Sequence, residues 1–343
     1  MLQLLNTLFV MTPRSYVHLD HDTVRVEVGD ETKLQVPLIH IGAIACFGDV
    51  GVSTALLHRC ADDGRSVVFL DRNGRFKARM EGPVGGNVLL RRAQHVALGD
   101  AGRTAAIGRS VVAGKIQNSR QVLLRAARES TDWPASQRLN QAAEFLLILL
   151  ERVKQSSVLD EIRGCEGEAA ATYFGVFDAL VRVDREAFAL KGRSRRPPLN
   201  PMNALLSFLY ALLLADCVGA LEGVGLDPQV GYLHALRPGR PALGLDLMEE
   251  LRSVVADRLA LTLVNRRQVR PEHFVFRDGG AVYLNDEGRR EVVAAYQKRK
   301  QEEVEHRALK RKVPVGMVPH VQARVLARHL RGDIEVYLPF LQR

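Results

Sequence analysis

The stretch M-E-G-P-V-G-G-N, residues 80–87, separates two kinds of sequence. Before it, short β-branched or alternating runs at 16–19, 23–28 and 33–36 are divided by polar turn residues such as Gly29 and Asp30, the pattern of strands. An apolar run at 38–47 leads through Gly48 and Gly51 to Ser53, placed to cap a short helix; 67–70 then returns to strand, with a turn at Asn73 and Gly74. After it the period lengthens, and alanine-, leucine- and arginine-rich stretches at 122–129 and 139–154 predict amphipathic or buried helices. The stretch lacks the lysine and hydroxyl of a phosphate loop and reads as a hinge. The predicted architecture is α+β, a mostly β domain over 1–85 followed by a larger, all-helical domain over 86–343.

The chain of 343 residues has length for about two domains. With 47% hydrophobic and 25% charged residues, disorder, a collagen-like repeat and a disulfide scaffold are excluded. Net charge is +9. Residues 1–90 hold nine basic and ten acidic side chains, so the remaining 39 basic against 29 acidic put the whole excess, +10, in the helical part. Such a surface favours a polyanion, nucleic acid first. Cys46, Cys60, Cys165 and Cys217 form no C-x-x-C pair, which points to a reducing compartment. The apolar start lacks a basic leader and a small-residue cleavage site, and the apolar run at 204–215 falls short of the ~20 residues of a membrane span; a cytoplasmic protein without a membrane partner is expected. The basic, proline-terminated loop 191–198 precedes a helix at 202–216 and reads either as a phosphate-holding loop or as solvated surface. At 298–312, Glu302, Glu303 and Glu305 interrupt the basic residues and predict a salt-bridged, exposed helix.

Three clusters combine residues able to carry chemistry. R-G-C-E-G-E-A-A-A-T-Y-F at 163–174 sets Glu166 between glycines at the expected start of an apolar helix, where it either faces a cleft or favours the helix dipole by about 0.3–1 kcal/mol. At 230–240, His234 is bracketed by an aromatic, a proline and glycines, a setting in which a lone histidine is usually structural. In L-D-L-M-E-E-L-R at 245–252, Asp246 and Glu249 are three residues apart and can approach one centre from a helix, or lie on a solvated face with Arg252 as ion-pair partner. Carboxylates with one imidazole suit Mg²⁺ or Mn²⁺ rather than zinc, and the histidine tips the choice towards Mn²⁺. A cation so held can bind a phosphodiester oxygen and lower the pKa of a bound hydroxyl. No nucleotide-binding P-loop, serine elbow or dinucleotide fingerprint competes.

At these clusters, and at N-P-M-N-A-L-L-S-F-L-Y (200–210), the run 231–252 and V-Y-L-N-D-E-G-R-R (282–290), the chain resembles the CRISPR-associated integrase and endonuclease of spacer acquisition, the first-numbered Cas protein family. The resemblance spans nearly the whole chain and looks most like the type I-C variant. It implies a β-rich dimerisation domain, a helical catalytic and DNA-binding domain, and a metal site of Glu166, His234 and Glu249 with Asp246 as a supporting acid. Many members have Asp where this chain has Glu249, a change of length that keeps the ligand type. The implied reaction is metal-dependent (Mn²⁺ or Mg²⁺) attack by the 3′ hydroxyl of a short DNA duplex on a phosphodiester of the CRISPR repeat array; with water in place of the hydroxyl the same site cuts. The implied assembly is a homodimer, two of which are bridged by a small second CRISPR-associated protein. Arg237, Arg240 and Arg252 are candidate phosphate contacts by their nearness in sequence.

The same residues would serve a general metal-dependent nuclease acting on branched or single-stranded DNA in repair. A noncatalytic DNA-binding scaffold, in which Glu166, His234 and Glu249 only cap and pair, is the third reading.

Overall fold

The computed structural model describes residues 6–72, 76–80, 82, 88–190, 192–194 and 196–342. Most of the expected hinge, the turn at Asn73 and Gly74, and Lys191 and Arg195 of the basic loop lie outside the described residues. The chain divides into two compact units, Met1–Gly86 and Asn87–Arg343.

The first unit is strand-rich. Its elements are β1 (Asn6–Val10), β2 (Ser15–Asp20), β3 (Thr23–Val28), β4 (Glu31–Pro37), β5 (Ile41–Phe47), β6 (Val50–Val52), α1 (Thr54–Asp62), β7 (Ser66–Leu70) and β8 (Phe76–Met80). They form two four-stranded sheets, β1-β5-β7-β8 and β4-β3-β2-β6. Alternation turns Val17, Val24 and Val26 of one sheet and Ile44, Cys46 and Val67 of the other into a single core, closed by Leu56 and Cys60 of α1. Each of these aliphatic side chains contributes about 1.5–3 kcal/mol on burial. The Ser53 hydroxyl accepts from the Leu56 amide at 3.2 Å, the expected cap of α1. All four cysteines are free and buried.

The second unit is helical: α2 (Val88–Gly99), α3 (Ala101–Glu129), α4 (Trp133–Gln155), α5 (Leu159–Gly175), α6 (Arg185–Phe188), α7 (Pro201–Val224), α8 (Ala242–Glu249), a π-helical turn Arg252–Asp257, α9 (Arg258–Asn265), α10 (Asp286–Gln301) and α11 (Val318–Arg331). Two short hairpins interrupt it, β9 (Phe274–Phe276) with β10 (Val282–Leu284), and β11 (Glu303–His306) with β12 (Arg311–Pro314). The second replaces the exposed helix expected at 298–312. Alternation explains it: Val304 and His306 turn inward while Glu303 and Glu305 stay outside, and the buried His306 ring meets Gln322 at 3.0 Å.

Helix α7 is longer than the apolar run 204–215 suggested. By length and composition alone it could cross a membrane, but it carries Leu205, Leu206, Phe208, Leu209, Leu212, Leu213 and Leu221 into the core of its unit. Asn200 caps it, accepting from the Asn203 amide at 2.8 Å, and Gly225 ends it at a φ of 87°.

Candidate active site

Helices α3, α5 and α8, with the loop before α8, carry the site. Gly231 opens that loop: a Cβ there would stand 2.6 Å from the carbonyl carbon of Ala242, so only glycine lets the chain pass so close to the first turn of α8. Asp246 then holds the loop from within the helix. Its carboxylate accepts the amides of Tyr232 (2.6 Å), Leu233 (3.0 Å) and His234 (3.0 Å), and lies 2.7 Å from His234 Nδ1. A carboxylate can only accept, so the Nδ1 atom carries a hydrogen and Nε2 is the ring nitrogen left to meet another partner.

That Nε2 faces Glu249 Oε1 at 3.7 Å. Glu249 is 2% exposed at the end of α8 and meets two cations, Arg252 Nη2 at 2.9 Å and Lys115 Nζ at 2.7 Å. Burial alone would raise its pKa; Arg252, Lys115 and His234 together reverse this and hold it down to about 2. Lys115, on α3, also bonds Glu166 Oε1, and Glu166 is the exposed member of the group at 29%. The structure therefore joins Glu166 to Glu249 through one lysine ammonium and sets His234 Nε2 beside Glu249. Among the described residues, no three His, Cys, Asp or Glu side chains stand in a ready metal cage. The donor types nevertheless fit a divalent cation, two carboxylates and an imidazole nitrogen, and a cation already bridges the carboxylates.

Behind the site, the π-helical turn aims Arg252 and Asp257 at one tyrosine. The Arg252 guanidinium stacks 5.0 Å from the Tyr210 ring, and the Tyr210 hydroxyl donates to Asp257 at 2.6 Å. Burial pushes Asp257 up to about 6 against the hydrogen bond from Tyr210 and the charges of Arg193 and Arg252. Arg193, from the basic loop, lies between Tyr210 (5.2 Å) and Phe174 (5.6 Å) and bonds Asn203 Oδ1 at 2.5 Å. A cleft of about 490 Å³ opens there, lined among others by Arg138, Phe174, Asp178 and Arg193.

The CRISPR associated protein Cas1 family matches residues 8–298. A CRISPR-associated endonuclease Cas1 of Moorella thermoacetica is 61% identical over 340 residues, 99% of each chain. The chain belongs to the Cas1 family. Its fold matches a casposase solved bound to its integration product, with a TM-score of 0.83 and 22% identity over 98% of this chain and 93% of that one. It also matches a chain of a Cas6-RT-Cas1–Cas2 complex, with a TM-score of 0.84 and 22% identity over all of this chain and 37% of that one.

In this Cas1 chain several sequence expectations are placed differently. Glu166 is mid-helix in α5, not at its start; Asp160 and Glu161 occupy the first turn, so the dipole reading does not hold for Glu166. Asp246 does not approach the centre but acts through His234 and the loop. Glu249 does pair with Arg252, yet both are buried, so the solvated-face reading fails. Of the three arginines expected at phosphates, Arg237 is exposed and Arg240 half-buried, whereas Arg252 is committed to Glu249 and Tyr210. Lys115, Tyr210 and Asp257 were not anticipated. The signal for Lys115 was a lysine on the α3 face that otherwise buries Val111, Gly114, Asn118 and Val122.

Proposed function

We propose that this chain is a metal-dependent DNA endonuclease and integrase, which joins short duplex fragments through their 3′ hydroxyls to a CRISPR repeat array. The carrying observation is that one cation bridges Glu166 and Glu249 while His234 Nε2 stands 3.7 Å from Glu249, with Asp246 fixing the imidazole at Nδ1. Glu166, Glu249 and His234 Nε2 would hold Mn²⁺ or Mg²⁺. Bound there, the ion supplies a Lewis acid that lowers the pKa of a hydroxyl or water and neutralises charge growing on the phosphate.

The chain's own groups set the rest. Arg252 keeps the buried Glu249 ionised near neutrality, and Tyr210 and Asp257 keep Arg252 in place. Arg237, exposed after His234, and Arg240 stand on the loop where a DNA backbone reaching the site would pass. With a DNA 3′ hydroxyl as acceptor the site joins; with water it cuts. Fold likeness to a casposase caught with its integration product supports joining, and likeness to a chain of a Cas1–Cas2 assembly supports a small second CRISPR-associated protein as partner. On this reading the strand-rich unit makes the homodimer, the helical unit holds DNA and catalysis, and the protein works in the cytoplasm.

The test is joining of a short duplex into a plasmid bearing a repeat array, with the small partner and Mn²⁺, for wild type and the Glu166→Ala, His234→Ala and Glu249→Ala variants. Loss of joining in all three, with fold and DNA binding kept, is expected. Cutting by wild type without array preference would favour a repair nuclease on branched or single-stranded DNA. Variants that join as well as wild type would leave a scaffold role for these residues.

A further inference from the structure

The metal reading leaves one feature of the site unused, the lysine that already fills it. Lys115 Nζ bonds Glu166 Oε1 and stands 2.7 Å from Glu249 Oε2, so a single ammonium bridges both carboxylates. We propose that Lys115 is the internal counter-cation of this site: it clamps Glu166 to Glu249 in the metal-free chain, and a divalent cation binds these carboxylates by displacing it. The inference rests on the metal reading above.

Its position is fixed by the fold. On α3, the preceding Gly114 lies against Pro339, whose Cβ would be 2.6 Å from any Cβ at 114. One turn on, Asn118 Nδ2 donates to the carbonyls of Glu250 and Phe340, each at 2.8 Å. The helix is thus pinned on both sides of Lys115 against the end of α8 and the C-terminal segment. The lysine stem is mostly buried at 13% exposure, and its head group reaches the two acids.

Charge decides that one cation must yield. Glu166, Glu249 and the buried Asp246 bring −3, and Lys115 and Arg252 offset it with +2. A divalent ion added to this balance would leave a largely buried excess of +1, which the departure of Lys115 returns to zero. Arg252 is the harder to move: its planar guanidinium stacks on Tyr210 while it bonds Glu249 Oε1 at 2.9 Å. Lys115 holds by a point charge on a flexible four-carbon stem, with no aromatic contact needed to keep it there. Its removal opens the oxygens that face each other.

The test measures Mn²⁺ binding to the full chain at pH 7.5 by the electron paramagnetic resonance signal of free Mn²⁺, for wild type, Lys115→Met and Lys115→Arg. Thermal unfolding is followed with and without the ion. Lys115→Met is expected to bind Mn²⁺ about tenfold more tightly, to melt lower than wild type without metal, and to gain more from saturating Mn²⁺. Lys115→Arg, which keeps the charge, is expected to bind no more tightly than wild type. Equal or weaker binding by Lys115→Met, with wild type binding normally, overturns the displacement role and leaves the metal reading standing. Tight binding by Lys115→Arg equal to that of Lys115→Met overturns it too. If neither wild type nor Lys115→Met binds Mn²⁺, the metal reading itself falls, and the displacement role with it.

Discussion

Two neighbouring acids end helix α8, and their surroundings have almost nothing in common. Glu249, almost fully buried, is faced by two cations, Arg252 and Lys115, and by the His234 ring. Glu250, fully buried beside it, is faced by neutral donors, the Tyr337 hydroxyl, the Gln322 amide at 2.8 Å and the Phe340 backbone amide at 2.5 Å. Burial raises the pKa of both. Around Glu249 the cations overcome it and hold the group near 2; around Glu250 the hydrogen bonds only soften it, and the group is pushed up to about 7. One residue step along a helix thus separates an acid prepared to hold a cation from one that ties the C-terminal segment to the core. Acidity in the sequence marks neither; what faces each carboxylate does.

The comparison breaks most sharply in activity. Glu249→Ala is expected to slow strand joining about a thousandfold or more, roughly 4 kcal/mol of lost transition-state stabilisation, whereas Glu250→Gln, folded at neutral pH, is expected to stay within about threefold of wild type. Equal losses in the same joining assay would mean that the two acids do not divide the work as their surroundings suggest.

Stability against pH separates them next. The folded Glu250 keeps its proton up to about 7, whereas the unfolded chain releases it near 4.5. Its effect therefore favours the native state below 4.5, declines as pH rises from 4.5 to 7, and is flat above, with a slope of at most about 1.4 kcal/mol per pH unit. Glu249 runs the other way: its stabilisation is present above 4.5 and is lost as pH falls from 4.5 towards 2. Denaturant unfolding of wild type and Glu250→Gln across pH 4.5–7 should show the wild type losing stability relative to the variant as pH rises. Parallel curves would remove the shift assigned to Glu250.

A smaller effect falls on the histidine. Asp246→Asn leaves an amide beside three backbone amides and His234 Nδ1, so the ring loses the partner that selects its tautomer. Mn²⁺ affinity is expected to drop about 10- to 100-fold, read by titration calorimetry. An unchanged affinity would place His234 outside the ion's reach.

Much of this arrangement was legible in the residues. Strand alternation at 23–28 and the Ser53 cap are local properties, and they read out directly. The helical second unit follows from its period, although at hairpin β11–β12 the interrupted basic run suggests a helix while the inward alternation of Val304 and His306 makes strands. Glu166, His234 and Glu249 came from cluster composition and resemblance, and the fold brings them together. Lys115 was out of reach because it lies 51 residues from Glu166, with no local motif around it; only its place on a buried face marks it. The split between Glu249 and Glu250 was illegible for the same reason. Tyr337 and Phe340, which define Glu250, lie 87 and 90 residues further along.

The mildest probe takes one donor from Glu250. Tyr337→Phe deletes the hydroxyl and keeps the ring, which is buried, so packing is preserved and two hydrogen bonds are lost, the one donated to Glu250 and the one accepted from Gln322 at 3.1 Å. Gln322 and the Phe340 amide still face the carboxylate. The expected cost is about 1 kcal/mol, or roughly 2–4 °C in melting temperature. Because that hydroxyl is the largest of the contacts that lower the Glu250 pKa, its removal also raises the upper end of the pH window, so the loss should grow from acid towards neutral pH. Joining should stay near wild type, since the hydroxyl touches nothing on the Lys115 side. A variant with a wild-type melting temperature at both pH 5 and pH 7.5 would mean that the C-terminal segment is held by its apolar contacts alone, and that Glu250 is not what fastens it.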